Sequence, residues 1–157
     1  MKIMLIDDDV SCTEGLSSAL EPAGHTCRQF SDPVLAVEAY AKENFDVVIT
    51  DMKMPGLNGI EVLKKIKALN KGARVIIVTG YGDVETAIAA VNNGAYAFFG
   101  KPVDICELIE TLERIEDEIQ GRLKLEVEYE RLASEYCRLK RAYEEILNLV
   151  KGVIDKK

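Results

Sequence analysis

The 157-residue sequence has no tryptophan, a single histidine and only four cysteines. The one histidine, His25, excludes a His-rich metal site and leaves no imidazole to spare for a catalytic triad. The cysteines have no Cys-x-x-Cys spacing, which argues against a zinc ribbon and predicts reduced thiols in a cytoplasmic protein. They are Cys12, Cys27, Cys106 and Cys137.

Long apolar runs are also missing. No stretch approaches the roughly 18 consecutive apolar residues of a membrane-spanning helix, so we expect no membrane span. The apolar run at residues 3–6 is too short for a signal peptide and ends at the acidic triplet Asp7-Asp8-Asp9. With 20 basic and 27 acidic residues, the formal net charge is −7, which argues against an anionic partner surface. No basic helix-turn-helix or P-loop pattern is present, so we expect no direct nucleic-acid binding by these residues.

Short apolar runs alternate with helical patterns as far as about residue 102. Five runs predict strands, and the stretches between them, with apolar residues three and four apart, predict helices. This alternation predicts an α/β fold, a doubly wound five-stranded parallel sheet with helices on both faces. The predicted strands are 2–6, 25–30, 46–50, 74–79 and 95–99, and the predicted helices are 10–21, 33–42, 58–69 and 84–92.

Polar residues follow four of the predicted strands, at the edge where ligands bind in open parallel sheets. The first strand ends at Asp7-Asp8-Asp9, the third at Asp51, the fourth at Thr79 and the fifth at Lys101. Clustered carboxylates repel one another, and a hard divalent cation such as Mg²⁺ relieves the repulsion by binding their oxygens. The cation can neutralise a phosphoryl group, whose other oxygens Thr79 and Lys101 are suited to bind. The pattern therefore predicts a magnesium-dependent phosphoryl site.

Four segments at these strand ends resemble the receiver domains of two-component response regulators in sequence, order and spacing. The segment Thr79-Gly-Tyr-Gly-Asp83 is most similar to the receivers of nitrogen-regulatory enhancer-binding activators. The resemblance covers about residues 1–120 and implies a flavodoxin-like sheet with strand order 2-1-3-4-5. The segments are residues 3–9 (IMLIDDD), 49–59 (ITDMKMPGLNG), 78–83 (VTGYGD) and 94–102 (GAYAFFGKP).

The resemblance implies a role for each acidic residue of the pocket. Asp51 would accept a phosphoryl group from a phosphohistidine of a sensor histidine kinase or phosphotransfer protein. Asp8 and Asp51 would bind Mg²⁺ together with the backbone carbonyl of Lys53, while Asp7 would act through a water molecule. The domain would be a phosphoacceptor that assists only its own phosphorylation and dephosphorylation, and not an enzyme acting on other molecules.

The resemblance also implies a switch. Thr79 and Lys101 would hold the phosphoryl oxygens, and Phe98 would fill the space that Thr79 leaves as it moves toward the phosphate. Many family members have tyrosine where this sequence has Phe98, so no phenol hydrogen bond can contribute here.

The Lys101-Pro102 bond suits a cis peptide. Tyr81 is large enough to hinder an attacking water, which predicts a long-lived phosphate.

Two alternatives of other classes remain open. Residues 7–11, DDDVS, also fit the D-x-D-x-(S/T) motif of haloacid-dehalogenase-like phosphohydrolases, with Asp7 as nucleophile and Asp9 as general acid. That hypothesis leaves the Asp51 segment unexplained, and we find no later acidic pair to complete its metal site; we expect Asp9 to stabilise a helix N-terminus instead. The second alternative is a protein-binding module that never takes phosphate, although degenerate receivers usually lack a pocket residue and this sequence has them all.

From about residue 104 to about Val150 the sequence has a helical pattern without proline. We therefore expect a receiver domain over residues 1–120 and a helical tail over residues 121–157. In the tail, apolar residues step alternately by four and three through almost four heptads, which is typical of a coiled coil. They are Leu125, Tyr129, Leu132, Tyr136, Leu139, Tyr143, Ile146 and Val150.

The apolar stripe of the tail is out of phase with the stripe before it. Seven residues beyond Ile119 lies Glu126, whereas the tail stripe uses Leu125. This offset predicts a bend, a stammer or a loop near Gly121. A long apolar stripe needs a covering surface, so we expect a homodimer formed through the tail, the fourth predicted helix or both, with an association that changes on phosphorylation. A tail that folds back, or one that docks another protein, remains an alternative.

Overall fold

The structure, a computed structural model, describes residues 1–80 and 84–154. Strands and helices alternate along these residues, and a short 3₁₀ turn at Glu21–Ala23 follows the first helix. The elements are β1 (Lys2–Ile6), α1 (Val10–Leu20), β2 (Thr26–Phe30), α2 (Pro33–Lys42), β3 (Val47–Asp51), α3 (Gly59–Leu69), β4 (Arg74–Thr79), α4 (Val84–Asn92), β5 (Ala97–Gly100) and α5 (Ile105–Ile154).

The five strands form one parallel sheet in the order β2-β1-β3-β4-β5, which confirms the predicted fold class and strand order. β1 lies between β2 and β3, so Ile3 pairs with Cys27 on one side and with Val47 on the other. From β1 the chain adds β2 on one side of the sheet, and it then returns to add β3, β4 and β5 on the other side. The point at which the direction of strand addition reverses lies between β1 and β3. The loops that follow these two strands therefore border the crevice where such sheets bind ligands.

The centre of the sheet is buried on both faces. Every residue of β3 is buried, as is every residue of β4 after Arg74, which agrees with their unbroken apolar runs. On one face, Met4 and Ile6 of β1 belong to a core cluster that includes Ile66 of α3. A rigid, dry sheet of this kind holds the residues at its carboxyl edge in fixed positions.

Element boundaries differ from the sequence predictions by one or two residues at several ends. Asn58, predicted as the first residue of the third helix, caps α3 instead: its side chain accepts a hydrogen bond from the Glu61 N–H. The Glu61 carboxylate accepts one from the Asn58 N–H in return. This reciprocal capping box fixes the helix start at Gly59.

α5 runs without interruption past Gly121, so a loop at that position is wrong. A glycine inside a helix costs only about 1 kcal/mol relative to alanine, which does not break a helix of this length. By its internal contacts the chain divides into two compact units, Met1–Ile115 and one beginning at Glu116. In the first unit, Leu108 and Leu112 of α5 are fully buried. The boundary predicted at residue 120 stays a prediction.

Of the helices that the structure describes, none combines the length and the apolar character needed to cross a membrane.

Candidate functional site

The carboxyl edge of the sheet brings together the polar residues that follow β1, β3, β4 and β5. Asp51 is the last residue of β3 and Thr79 the last residue of β4, and both are buried. Asp7 follows β1 directly and is also buried, with 6% of its surface exposed. Lys101 follows β5 and is half-buried. Burial on this scale in polar side chains requires hydrogen-bonding partners.

The ammonium group of Lys101 is a partner of both buried carboxylates, Asp7 and Asp51. Its Nζ lies 2.6 Å from Asp7 Oδ2 and 2.8 Å from Asp51 Oδ1. Burial alone would lower the pKa of Lys101, but the hydrogen bonds to Asp51 and Asp7 outweigh it and hold that pKa above its ordinary range. The ammonium is therefore charged at neutral pH. The peptide bond after it, Lys101-Pro102, is cis, as the sequence predicted.

Backbone N–H groups orient the other oxygen of each carboxylate. Asp51 Oδ2 accepts a hydrogen bond of 2.6 Å from the N–H of Lys53. Asp7 Oδ1 accepts one of 2.9 Å from the N–H of Asp9. Both buried carboxylates are thus held between a backbone donor and the Lys101 ammonium, and their positions depend on the loops after β1 and β3.

The acidic cluster also includes an exposed member, Asp8. One carboxylate oxygen from each of Asp7, Asp8 and Asp51 lies within 4.8 Å of the others. Three carboxylates against the single positive charge of Lys101 leave the cluster with two excess negative charges. Oxygen donors and an excess of two charges fit a hard divalent cation such as Mg²⁺. The residues present therefore suit the predicted metal, while the part assigned to the Lys53 carbonyl stays a prediction.

Asp9 has a structural role. It caps α1, where its carboxylate accepts hydrogen bonds from the Ser11 N–H at 3.0 Å and from the Ser11 hydroxyl. Hydrogen bonds from the Ser11 hydroxyl and N–H lower the pKa of Asp9. A carboxylate so held stays deprotonated and is poorly suited to donate a proton, so the general-acid role required by the phosphohydrolase alternative is not favoured. The expectation that Asp9 stabilises a helix N-terminus is confirmed.

Two residues with no role in the sequence predictions lie against the site. A Cβ on Gly59 would stand 2.5 Å from the Asp51 carbonyl oxygen and 3.0 Å from Met52 Cα, so any other residue there would force the backbone of α3 or of the loop after β3 to shift. Its position at the start of a predicted helix was the available signal. The half-buried thiol of Cys12 lies 3.8 Å from Lys101 Nζ. Nothing in the sequence pattern pointed to that contact, because Cys12 and Lys101 come from distant elements.

The two residues predicted to form the switch lie on neighbouring strands. The carbonyl oxygen of Thr79 accepts a hydrogen bond of 2.7 Å from the Lys101 N–H, which joins β4 to the loop after β5. Phe98 pairs with Ile77 across β4 and β5 and packs, half-buried, against the core cluster. The exchange of space between Thr79 and Phe98 stays a prediction. Tyr81, predicted to shield the phosphate, lies outside the described residues.

Comparisons with known proteins agree on one family. Residues 3–113 match the model of the response regulator receiver domain. The chain is 35% identical over 133 residues to the C4-dicarboxylate transport transcriptional regulatory protein DctD of Rhizobium meliloti (strain 1021), covering 85% of this chain and 28% of that protein. It is 38% identical over 112 residues to the DNA-binding transcriptional regulator NtrC of Escherichia coli (strain K12), covering 71% of this chain and 24% of that protein.

A solved structure gives the same result. The solution structure of the beryllofluoride-activated NtrC4 receiver domain dimer aligns with a TM-score of 0.71 at 30% identity, covering 74% of this chain and 97% of that one. The chain spans about a quarter of the length of the two curated regulators, 28% and 24% respectively.

Proposed function

The chain belongs to the receiver domain family of two-component response regulators, and from that premise we propose that Asp51 is the residue that accepts the phosphoryl group. Receivers of this family are switches activated by phosphorylation on an aspartate. The observation that carries the proposal is the bridge from Lys101 Nζ to Asp51 Oδ1 and Asp7 Oδ2. It supports Asp51 as a buried carboxylate held beside a cation at the carboxyl edge of the sheet. Asp7 shares the bridge, and what favours Asp51 over Asp7 is the resemblance of residues 49–59 to the corresponding receiver segment.

The chemistry follows from these positions. A carboxylate oxygen of Asp51 attacks the phosphorus of a phosphohistidine, so an O–P bond forms, the N–P bond breaks and the imidazole leaves. The Lys101 ammonium, 2.8 Å from Asp51 Oδ1, stands where it can donate to the oxygens of the incoming phosphoryl group. The hydroxyl of Thr79, at the end of the adjacent strand, is the second proposed donor.

Asp7, Asp8 and Asp51, with the backbone carbonyl of Lys53, would hold Mg²⁺. When bound, the ion supplies positive charge that offsets the phosphoryl oxygens. The support is the donor set itself: three carboxylates within 4.8 Å and two negative charges not balanced by Lys101.

The proposed signal travels from the phosphate through Thr79 and Phe98 to the face formed by α4, β5 and the start of α5. Phosphorylation adds about 1.5 to 2 negative charges at the sheet edge. A phosphoryl group shifts the equilibrium between two packings of this face only if it interacts more favourably with one of them. The switch therefore requires two packings of similar energy. α4 carries exposed apolar side chains suited to a surface that changes partners, Val84, Ile88 and Val91.

The proposed partners are a sensor histidine kinase or phosphotransfer protein as phosphodonor and a second copy of the chain. The related NtrC4 receiver is a dimer when activated by beryllofluoride, which supports the second. We propose that the domain acts as a phosphoacceptor and not as an enzyme on other molecules, without direct contact to nucleic acid or membrane. The cytoplasmic location stays a prediction.

The test uses a small-molecule phosphodonor, such as acetyl phosphate, with Mg²⁺. Intact-protein mass spectrometry should detect one phosphate on the wild type and none on Asp51→Asn. Asp9→Asn is the matched control, because it removes a neighbouring carboxylate outside the proposed ligand set and should still be phosphorylated. A phosphate that persists in Asp51→Asn and maps to Asp7 would support the phosphohydrolase alternative instead.

A further inference from the structure

The tail portion of α5 exposes a long apolar stripe. Eight apolar side chains spaced alternately four and three residues apart are each between 49% and 75% exposed in the single chain. At 1.5 Å per residue they extend along about 38 Å of helix. A contiguous apolar surface of this length is rare on a monomer and marks an interaction site. The tail stripe consists of Leu125, Tyr129, Leu132, Tyr136, Leu139, Tyr143, Ile146 and Val150.

The spacing assigns each residue of the tail stripe to a heptad position. Leucine and isoleucine occupy the four d positions, whereas tyrosine occupies the first three a positions and Val150 the fourth. The flanking e and g positions decide which partner orientation is favourable, because they face one another across a coiled coil. The e positions are Glu126, Ala133, Lys140 and Leu147, and the first three g positions of the tail stripe are Glu128, Glu135 and Ala142.

We propose that the tail stripe pairs with the tail stripe of a second copy of this chain in a parallel, in-register coiled coil. In that arrangement each g residue faces the e residue five positions later on the other copy. Glu135 then faces Lys140 of the second copy, and by symmetry this attraction occurs twice. Glu128 faces Ala133, so that pair places no like charges together.

The antiparallel alternative loses this complementarity. If two tails overlap over the whole stripe in opposite directions, e faces e and g faces g. Glu135 is then opposite Ala142, and Lys140 is opposite Ala133, so neither charge meets its complement. A second copy in parallel is therefore the occupant that the charges favour.

The tyrosines set the strength of the association. Coiled-coil dimers prefer β-branched residues at a, and a tyrosine keeps its hydroxyl in water while its ring is buried. The dimer should therefore be weaker than a coiled coil of isoleucine and leucine, and its population should depend on concentration. The inference deepens the homodimer of the proposed function, but it does not require that Asp51 accept phosphate.

A charge-reversal cycle tests the orientation. Residues five apart do not face each other on one helix, so coupling between positions 135 and 140 must act across the dimer. Glu135→Lys and Lys140→Glu should each weaken the dimer about fivefold in sedimentation equilibrium, and the double variant should return to within about twofold of wild type. Glu135 also lies 3.6 Å from Arg131 on its own helix. Glu135→Lys and the double variant both lose that contact, so it cancels in the coupling between positions 135 and 140.

The matched control is Glu128→Lys combined with Lys140→Glu. Glu128 occupies the same heptad position as Glu135 but faces Ala133 of the second copy, so this pair should show no coupling. Coupling of equal size in both cycles, or none in the first, would overturn the parallel register.

Disulfide trapping gives an independent readout. In a background in which the exposed Cys106 and Cys137 are replaced by serine, Leu125→Cys should form a cross-linked dimer on mild oxidation. Val127→Cys lies on the same turn, is similarly exposed at 67% and occupies an outer f position, so it should not. In a mixture of Leu125→Cys and Val150→Cys, a predominantly mixed cross-link would show an antiparallel dimer and overturn the proposal. So would a chain that stays monomeric at high micromolar concentration. Phosphorylation of Asp51, measured on the same samples, reports separately on the proposed function.

Discussion

Lys101 donates a hydrogen bond of 2.6 Å to Asp7, a residue 94 positions earlier in the chain. The same ammonium lies 2.8 Å from Asp51. One positive charge therefore joins the loops after β1, β3 and β5, so the stability of the pocket and its reactivity depend on the same side chain.

Lys101→Met should lower the free energy of unfolding by about 2 kcal/mol at neutral pH. The change removes the charge but keeps the volume, so Asp7 and Asp51 lose their counter-ion while remaining buried; the partial exposure of the site keeps the loss below that of a fully buried pair. Chemical denaturation measures the loss. Lys64→Met, on the exposed face of α3, is the control and should change stability by less than about 0.5 kcal/mol. Equal effects at both positions would mean that the bridge contributes nothing.

Mg²⁺ at millimolar concentration should raise the melting temperature, and Asp8→Ala should abolish most of that rise, because two carboxylates bind the ion less well than three. Without metal, Asp8→Ala should be at least as stable as wild type, since it relieves repulsion in the cluster. Asp9→Ala removes the α1 cap at a cost of about 1 kcal/mol but should keep the full response to Mg²⁺. An undiminished response in Asp8→Ala would place the ion elsewhere.

Gly59→Ala should destabilise the domain by about 2 kcal/mol and slow phosphorylation. The added Cβ would stand 2.5 Å from the Asp51 carbonyl oxygen, so either α3 or the loop after β3 must shift. Gly15→Ala makes the same chemical change in α1, where the new Cβ meets nothing within 4 Å. That variant should gain about 0.5 to 1 kcal/mol. A wild-type phosphorylation rate in Gly59→Ala would remove this residue from the determinants of the site.

Glu43 should make stability depend on pH in acid. Hydrogen bonds from Arg28 and Lys2 lower the pKa of Glu43 from 4.5 to about 2. A depressed carboxyl pKa contributes stability that is present above about pH 4.5 and is lost as pH falls toward 2. Glu43→Gln should therefore flatten the melting temperature against pH in that window. Glu38→Gln, which removes an exposed carboxylate of α2, serves as the comparison; identical curves for both variants would contradict the assignment.

Thr79→Ala should uncouple phosphorylation from self-association. The proposed nucleophile, Asp51, is untouched, so mass spectrometry should still detect a phosphate, though it forms more slowly without the hydroxyl donor. Alanine has no hydroxyl to bind the phosphoryl group, so residue 79 should not move toward the phosphate. Phe98 should then keep its position, and the dimer dissociation constant should not change on phosphorylation. Sedimentation with and without the phosphodonor measures this. A shift equal to that of wild type would exclude the proposed Thr79–Phe98 route.

Local patterns were sufficient for the fold class and for the residues at the carboxyl edge of the sheet, whereas the strand order came from the resemblance to receiver domains. Unbroken apolar runs identified buried β3 and β4, and parallel topology then brings Asp51 and Thr79 to one edge. Contacts between distant elements were not accessible in this way. The Lys101 bridge depends on atomic distances, and the need for glycine at position 59 depends on how closely α3 approaches the end of β3. The heptad offset near Gly121 was misread as a possible loop because the phase of a stripe does not determine whether the backbone hydrogen bonds continue.

The two excess negative charges of the pocket affect how a phosphodonor reaches it. A phosphoryl group brings further negative charge, and the whole chain carries a formal charge of −7, so long-range attraction toward the pocket cannot guide the encounter. Productive collisions must instead be selected by short-range contacts on surfaces around the crevice. If Asp51 accepts phosphate as proposed, discrimination between phosphodonor proteins then resides in those surfaces and not in the chemistry of Asp51 itself.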